Sequence, residues 1–114
     1  LVATHPDIVC PSPTGGLPDV GSILAMFEAA TGITPTIITG KPRPEMILER
    51  LKEEGIDQSN VAMIGDRIYT DIAMARAANV QSILVLSGEA TRGDLENSTI
   101  QPTLIVDSVD VLLR

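Results

Sequence analysis

The 114-residue chain has no tryptophan, one phenylalanine, one tyrosine and one cysteine. With aromatics at 2%, the core has to be built from Ile, Leu, Val, Ala and Met. The lone thiol, Cys10, forms no internal disulfide and has no second thiol to share a zinc site. It reads as a small buried hydrophobe in a reducing, cytoplasmic setting. Positive charge is scarce: eight Lys and Arg stand against fifteen Asp and Glu, a net charge of −7. That argues against nucleic acid, whose phosphates need a basic face, and disfavours anionic membrane surfaces. No apolar run approaches the roughly 20 residues of a membrane span, and no basic segment leads into an apolar one as in a secretory signal. A small phosphorylated substrate stays open to an acidic chain, because a bound divalent cation inverts the local field. The chain also begins Leu1-Val2-Ala3 with no initiator Met, as expected if the start was removed or if it is a piece of a longer protein.

What is present is a globular composition, 44% hydrophobic and 20% charged, at a length suited to one small domain. Residues 1–20 carry Pro6, Pro11, Pro13 and Pro18 with Gly15 and Gly16, which rules out a regular helix and predicts irregular structure. A helix is expected over 22–30, with Ile23, Met26, Phe27 and Ala30 on one face and Thr31-Gly32 as its stop. The β-branched run 36–39 predicts a strand. A helix follows over 44–54, with Pro44 in its first turn, Ile47, Leu48 and Leu51 inward and Gly55 after it. The run 61–64 reads as a fully buried strand. An alanine-rich helix over 70–78 has side chains small enough to pack closely on a sheet. Strands are expected at 82–86 and 104–106, a short turn at 94–96, and a terminal helix capped by Ser108 through Leu113. Alternating strands and helices of this kind predict an α/β fold with a parallel sheet and flanking helices.

In such sheets ligands bind beyond the carboxyl ends of the strands. Two strands deliver a charged residue there in the same way. The run 36–39 passes through Gly40 to Lys41, and 61–64 passes through Gly65 to Asp66. Asp71 follows five residues later near a helix start, so one loop can bring both carboxylates to a point. Oxygen ligands of this kind suit Mg2+, which takes one or two carboxylates and keeps several waters. A cation there polarises a phosphoryl oxygen, and Lys41 adds a point charge on the same group. Plainer readings exist for each residue. A carboxylate in a first helical turn is favoured by the helix dipole, an Asp after a strand can bind turn amides, and most lysines are simply solvated. Three of them at one sheet edge favour function. His5, alone in a proline-rich stretch, reads as structural or solvated. Gly40-Lys41-Pro42 is not a P-loop, which needs Ser or Thr after the lysine and an earlier Gly.

Gly40-Lys41-Pro42, Gly65-Asp66-Arg67-Ile68-Tyr69-Thr70-Asp71 and Ile83-Leu84-Val85-Leu86-Ser87-Gly88-Glu89 together resemble the haloacid dehalogenase (HAD) superfamily. The nearest subgroup is that of NagD-like and 4-nitrophenylphosphatase-like phosphatases. The stretch from Ala3 through Pro13 to Gly21-Ser22-Ile23 resembles the end of that subgroup's cap domain. The resemblance implies a Rossmann-like core: residues 1–35 as the end of a cap and 36–114 as the C-terminal part of the core. It implies that Lys41 is the third-motif lysine, acting on the nucleophile and the transferring phosphoryl group. It makes Asp66 the fourth-motif Mg2+ ligand and Asp71 its acidic partner, in the outer sphere of the metal or holding the lysine. Arg67 to Thr70 then border the substrate, a small phosphomonoester such as a sugar phosphate, nucleotide or aryl phosphate. The family's first motif, D-x-D-G-T/V with its nucleophilic Asp, has no counterpart, since no D-x-D occurs in the chain. The chain is therefore expected to be the C-terminal portion of a longer phosphatase, inactive by itself. In the family the nucleophile strand lies beside the strand ending in Asp66. Without it that edge is open, and self-association into a homo-oligomer is expected. Two other classes compete: a non-catalytic metal- or phosphate-binding remnant, and a response-regulator-like phosphoacceptor. The latter needs its acidic residues before the lysine, the reverse of the order here.

Overall fold

The structure is a computed structural model that describes residues 1–113. The chain divides into two compact units, Leu1–Gly40 and Lys41–Arg114.

The first unit contains more regular structure than its prolines predict. Strand β1 (Val2–Ala3) pairs in parallel with β4 (Ile37–Ile38), and β2 (Val9–Cys10) pairs antiparallel with β3 (Leu17–Pro18). Pro18 fits because a two-stranded ladder leaves one side of each strand without a partner, where a missing N–H costs little. Helix α1 (Val20–Thr31) begins two residues earlier than expected, capped by Asp19, whose carboxylate accepts from Val20 N, and ends at Gly32 with φ 71°. Only glycine takes that conformation without strain. One expectation is corrected here. Cys10 is exposed rather than buried; it sits on a two-residue hairpin strand. The apolar face of α1 is also exposed, with Met26 at 61%. The 3.6-residue spacing identifies such a face correctly but does not supply a cover for it.

The second unit carries a parallel sheet in the order β5-β6-β7: Ala62–Gly65, Gln81–Val85 and Leu104–Val106. Met63 stands opposite Ser82 and Ile83 opposite Leu104, so Gly65, Val85 and Val106 finish at the same edge. Helix α2 (Glu45–Glu54) starts after Pro44 and stops at Gly55, φ 64°. Its Leu51 is buried with Ala75, Ala78 and Val80, and Ile47, Leu48, Val61 and Met63 pack around them. A second cluster joins Ile68, Ile72, Leu84, Ala90 and Leu95. Burying a Leu or Ile contributes about 1.5–3 kcal/mol, and this unit's core depends on such aliphatics in place of aromatic rings.

The expected helix over 70–78 is replaced by a wide π-type turn, Ile68–Ile72, that runs into a short helix α3, Ala73–Ala77. The alanines behave as anticipated: Ala75 and Ala78 are 0% and 1% exposed. Helix α4 spans Arg92–Glu96, and the terminal helix expected through Leu113 is a 3-10 helix, Val109–Leu113. The strand at 61–64 was expected to be fully buried. Instead β5 is an edge strand with Ile64 41% exposed, because among the described residues only β6 is hydrogen-bonded to it.

Candidate active site

Asp66 leaves β5 through Gly65, and the loop after β6 folds over it. Gly88 makes that approach feasible, since a Cβ there would overlap the Asp66 carboxylate. Glu89 N donates to Asp66 Oδ2 at 2.9 Å, and Ala90 N donates to the Asp66 carbonyl at 3.0 Å. Asp66 is thus fixed at both main chain and side chain by one neighbouring loop. Its other carboxylate oxygen, Oδ1, has no hydrogen-bond partner among the described residues.

Asp71 lies in the π-type turn and is 2% exposed. Both of its oxygens are engaged: Lys41 Nζ donates to Oδ1 at 2.6 Å, and Arg67 N donates to Oδ2 at 3.2 Å. Gly65 leaves room for this carboxylate, since a Cβ there would overlap it. One buried carboxylate therefore ties Lys41 to the loop that begins at Asp66. The wide turn explains the departure from an ordinary helix. It turns Asp71 back onto Arg67 N, the residue after Asp66, while Ala73 N carries the chain onward by bonding Ile68 O and Thr70 O. The Lys41 side chain is 40% exposed, so its ammonium has donors beyond the one given to Asp71.

Arg67 and Tyr69 converge on Glu89. Arg67 Nε lies 2.6 Å from Glu89 Oε2, and Tyr69 OH donates to Glu89 Oε1 at 2.6 Å. These three side chains, with Asp94 and Asn97, line a cleft of about 460 Å3. Thr70 does not join them. It is 2% exposed, on the inner side of the turn, and its hydroxyl has no hydrogen-bond partner among the described residues. The alternation of inner and outer positions in the turn withdraws Thr70 from the surface that Arg67 and Tyr69 occupy. Glu89 received no separate role from its sequence. The available signal was that Leu86-Ser87-Gly88-Glu89 leaves a buried strand at the same edge as Gly65-Asp66.

These donors allow a test of fit for a divalent cation. Mg2+ takes oxygen ligands at about 2.1 Å, commonly one or two carboxylates with waters. Asp66 fits, with one oxygen held and one unengaged. Asp71 is committed to Lys41 and to Arg67 N, which suits an outer-sphere role. The chain's contribution to such a centre is then one carboxylate. In the first unit His5, Asp7 and Asp19 have donor atoms within 4.8 Å of one another. There His5 Nε2 sits 3.0 Å from Asp19 Oδ1, and the same Asp19 caps α1. His5 is therefore explained as part of a cap.

A HAD-hydrolase-like family model matches residues 38–112. The chain is 37% identical over 109 residues to a dihydroxyacetone phosphatase of Corynebacterium glutamicum, covering 96% of this chain and 39% of that protein. It is 36% identical over 103 residues to an acid sugar phosphatase of Staphylococcus aureus, covering 90% of this chain and 39% of that protein. Among solved structures it matches a 4-nitrophenylphosphatase of Thermotoga maritima with a TM-score of 0.90 at 44% identity, over 97% of this chain and 42% of that one. It also matches a glycerol phosphate phosphatase of Mycobacterium tuberculosis in complex with magnesium, TM-score 0.88 at 33% identity, over 97% and 34%. The chain spans about two fifths of the length of the curated relatives it matches. By its family match, its fold and the NagD and 4-nitrophenylphosphatase structures it resembles, the chain belongs to the HAD-like hydrolase family.

Proposed function

We propose that this chain is the C-terminal portion of a magnesium-dependent phosphatase acting on small phosphomonoesters, through an aspartyl-phosphate formed on a nucleophile outside residues 1–114. The observation that carries the reading is the link made by Asp71, which joins Lys41 Nζ to the backbone of the Asp66 loop. Names of relatives support the substrate class: a dihydroxyacetone phosphatase, an acid sugar phosphatase and a glycerol phosphate phosphatase.

In this reading Asp66 would hold Mg2+ while Glu89 N fixes its Oδ2. When bound, the cation polarises a phosphoryl oxygen and offsets phosphate charge. Lys41, held by Asp71, directs its remaining N–H donors to the nucleophile and the transferring phosphoryl group. Asp71 orients Lys41 and would act in the outer sphere of the metal. Arg67, at the cleft, faces the substrate. Residues 1–35 are the end of a cap and 36–114 part of the core, in a cytoplasmic protein.

The test is hydrolysis of an aryl phosphate with Mg2+ by the chain alone and by the chain joined to its genomic upstream sequence. The longer protein is expected to turn over substrate and the chain alone is not. In the longer protein Asp66→Asn and Lys41→Met are each expected to lower kcat by about 10²–10³. Turnover by the chain alone, or an unaffected Asp66→Asn enzyme, would overturn the reading.

A further inference from the structure

Glu89 makes contacts with the Asp66 loop from two directions. Its amide donates to Asp66 Oδ2 at 2.9 Å, and its carboxylate takes Arg67 Nε at 2.6 Å and Tyr69 OH at 2.6 Å. Arg67 is itself held through its amide by Asp71 Oδ2 at 3.2 Å. The side-chain contacts therefore close a ring: Glu89 main chain to Asp66, along the chain to Arg67, and back through the guanidinium to Glu89. Tyr69 adds a second, neutral arm.

We propose that Glu89 is a positioning residue whose side chain latches the loop after β6 onto the Asp66 loop and so fixes the Asp66 carboxylate for a cation. An ordinary surface ion pair contributes little, but three features set this one apart. The Arg67 side chain is only 17% exposed, so screening by water is reduced. Both carboxylate oxygens of Glu89 are used, which fixes its rotamer. Gly88, immediately before it, has no side chain and lies against Asp66, which brings Glu89 N within reach of that carboxylate, and the Glu89 side chain adds its hold to that of buried Ala90. The negative charge of Glu89 also balances the Arg67 cation beside Asp66 in sequence.

The positioning role rests on the reading of Asp66 as a metal ligand, and the experiment separates the two. Amide hydrogen exchange at Glu89 and Ala90 reads the latch alone, with Leu84, which is 0% exposed in the sheet, as the control for global folding. Mn2+ titration of the chain joined to its upstream sequence, followed by paramagnetic broadening around Asp66, reads the site. In Glu89→Ala, exchange at both amides is expected to rise by about ten-fold with Leu84 unchanged, since a net hydrogen bond amounts to roughly that factor. Glu89→Gln keeps an acceptor for Tyr69 and loses the ion pair, and Tyr69→Phe loses only the neutral arm. Both are expected to fall between Glu89→Ala and the unaltered chain. Mn2+ affinity is expected to fall several-fold in Glu89→Ala and to vanish in Asp66→Asn. Unchanged exchange in Glu89→Ala would overturn the latch. Faster exchange with unchanged Mn2+ affinity would overturn the positioning of the ligand. Absence of Mn2+ broadening at Asp66 in the chain joined to its upstream sequence would overturn the metal reading itself, while the exchange arm would still report on the latch.

Discussion

Lys41 Nζ and Asp71 Oδ1 meet at 2.6 Å, with 40% of the lysine side chain exposed and 3% of the aspartate's. The pair is lopsided: its negative half is inside and its positive half reaches in from the surface. Removing either partner of a buried pair strands the other, at a cost of about 3–5 kcal/mol when both are buried. Here the cost depends on which partner remains. Lys41→Met leaves a buried carboxylate with one amide donor, and its cost, discounted for the exposure of the lysine, is expected to be about 2 kcal/mol. Asp71→Asn keeps a side-chain oxygen for Arg67 N and leaves a lysine that can turn to water, at about 1 kcal/mol. Urea unfolding of the two variants checks the order. A larger loss in Asp71→Asn would mean that the carboxylate's charge is not what the lysine compensates.

Two glycines set the spacing of the site for steric reasons. A Cβ at Gly65 would overlap Asp71, and one at Gly88 would overlap Asp66. Forcing a methyl into a filled space costs about 1–3 kcal/mol. Gly65→Ala and Gly88→Ala are each expected to lose stability in that range. They should differ in where the structure gives way. Gly65→Ala is expected to disturb the amide resonances of Arg67 and Lys41, around Asp71. Gly88→Ala is expected to disturb those of Glu89 and Ala90, around Asp66.

Acid should release the cap of α4 late. Asp94 is held below the ordinary carboxylate range by the Thr91 hydroxyl and then by the Thr91 amide, both of which donate to it. A depressed folded pKa means that the contribution is fully present above the unfolded pKa and is lost as the pH falls through the lower, folded value. The Thr91 amide shift is therefore expected to titrate below the ordinary Asp range. Thr91→Val removes the hydroxyl and keeps the amide, so the Asp94 midpoint should move up towards its ordinary value. An unmoved midpoint would show that the hydroxyl is not the main cause.

The sequence was most legible where a single local rule decides the outcome. Gly32 and Gly55 stop their helices in the left-handed conformation, and β7 lies at 104–106 as its apolar run indicated. Gly-then-charge after 36–39 and 61–64 pointed to Lys41 and Asp66, and the parallel register brings the strand ends of the second unit to one edge. The rest depended on contacts between distant segments. The π-type turn at 68–72 follows from Asp71 bonding Lys41 and Arg67 N, and no periodicity encodes a partner 30 residues away. Glu89 became visible only when the loop after β6 was seen to lie on Asp66. Cys10 was misjudged because apolar character predicts a preference for burial without supplying the neighbour that buries it.

The edge of β5 yields the last prediction. Among the described residues this strand has β6 on one side and no hydrogen-bonded strand on the other. It is apolar along Ala62–Gly65, and Ile64 is 41% exposed. Natural sheets guard such an edge with charge, bulges or cover, and β5 carries no charged residue. The chain by itself is therefore expected to self-associate, with a weight-average sedimentation coefficient that rises with concentration. Ala62 is exposed, so Ala62→Lys adds an edge charge without entering either hydrophobic cluster. It should hold the chain nearer to a monomer while leaving far-UV circular dichroism unchanged. Joining the upstream sequence should suppress association in the same way if that sequence supplies a strand beside β5. A chain that is monodisperse and monomeric at high concentration, with a sharp cooperative melt, would show that this edge is tolerated as it stands. In that case the strand ending in Asp66 would need no neighbour to keep the site in order.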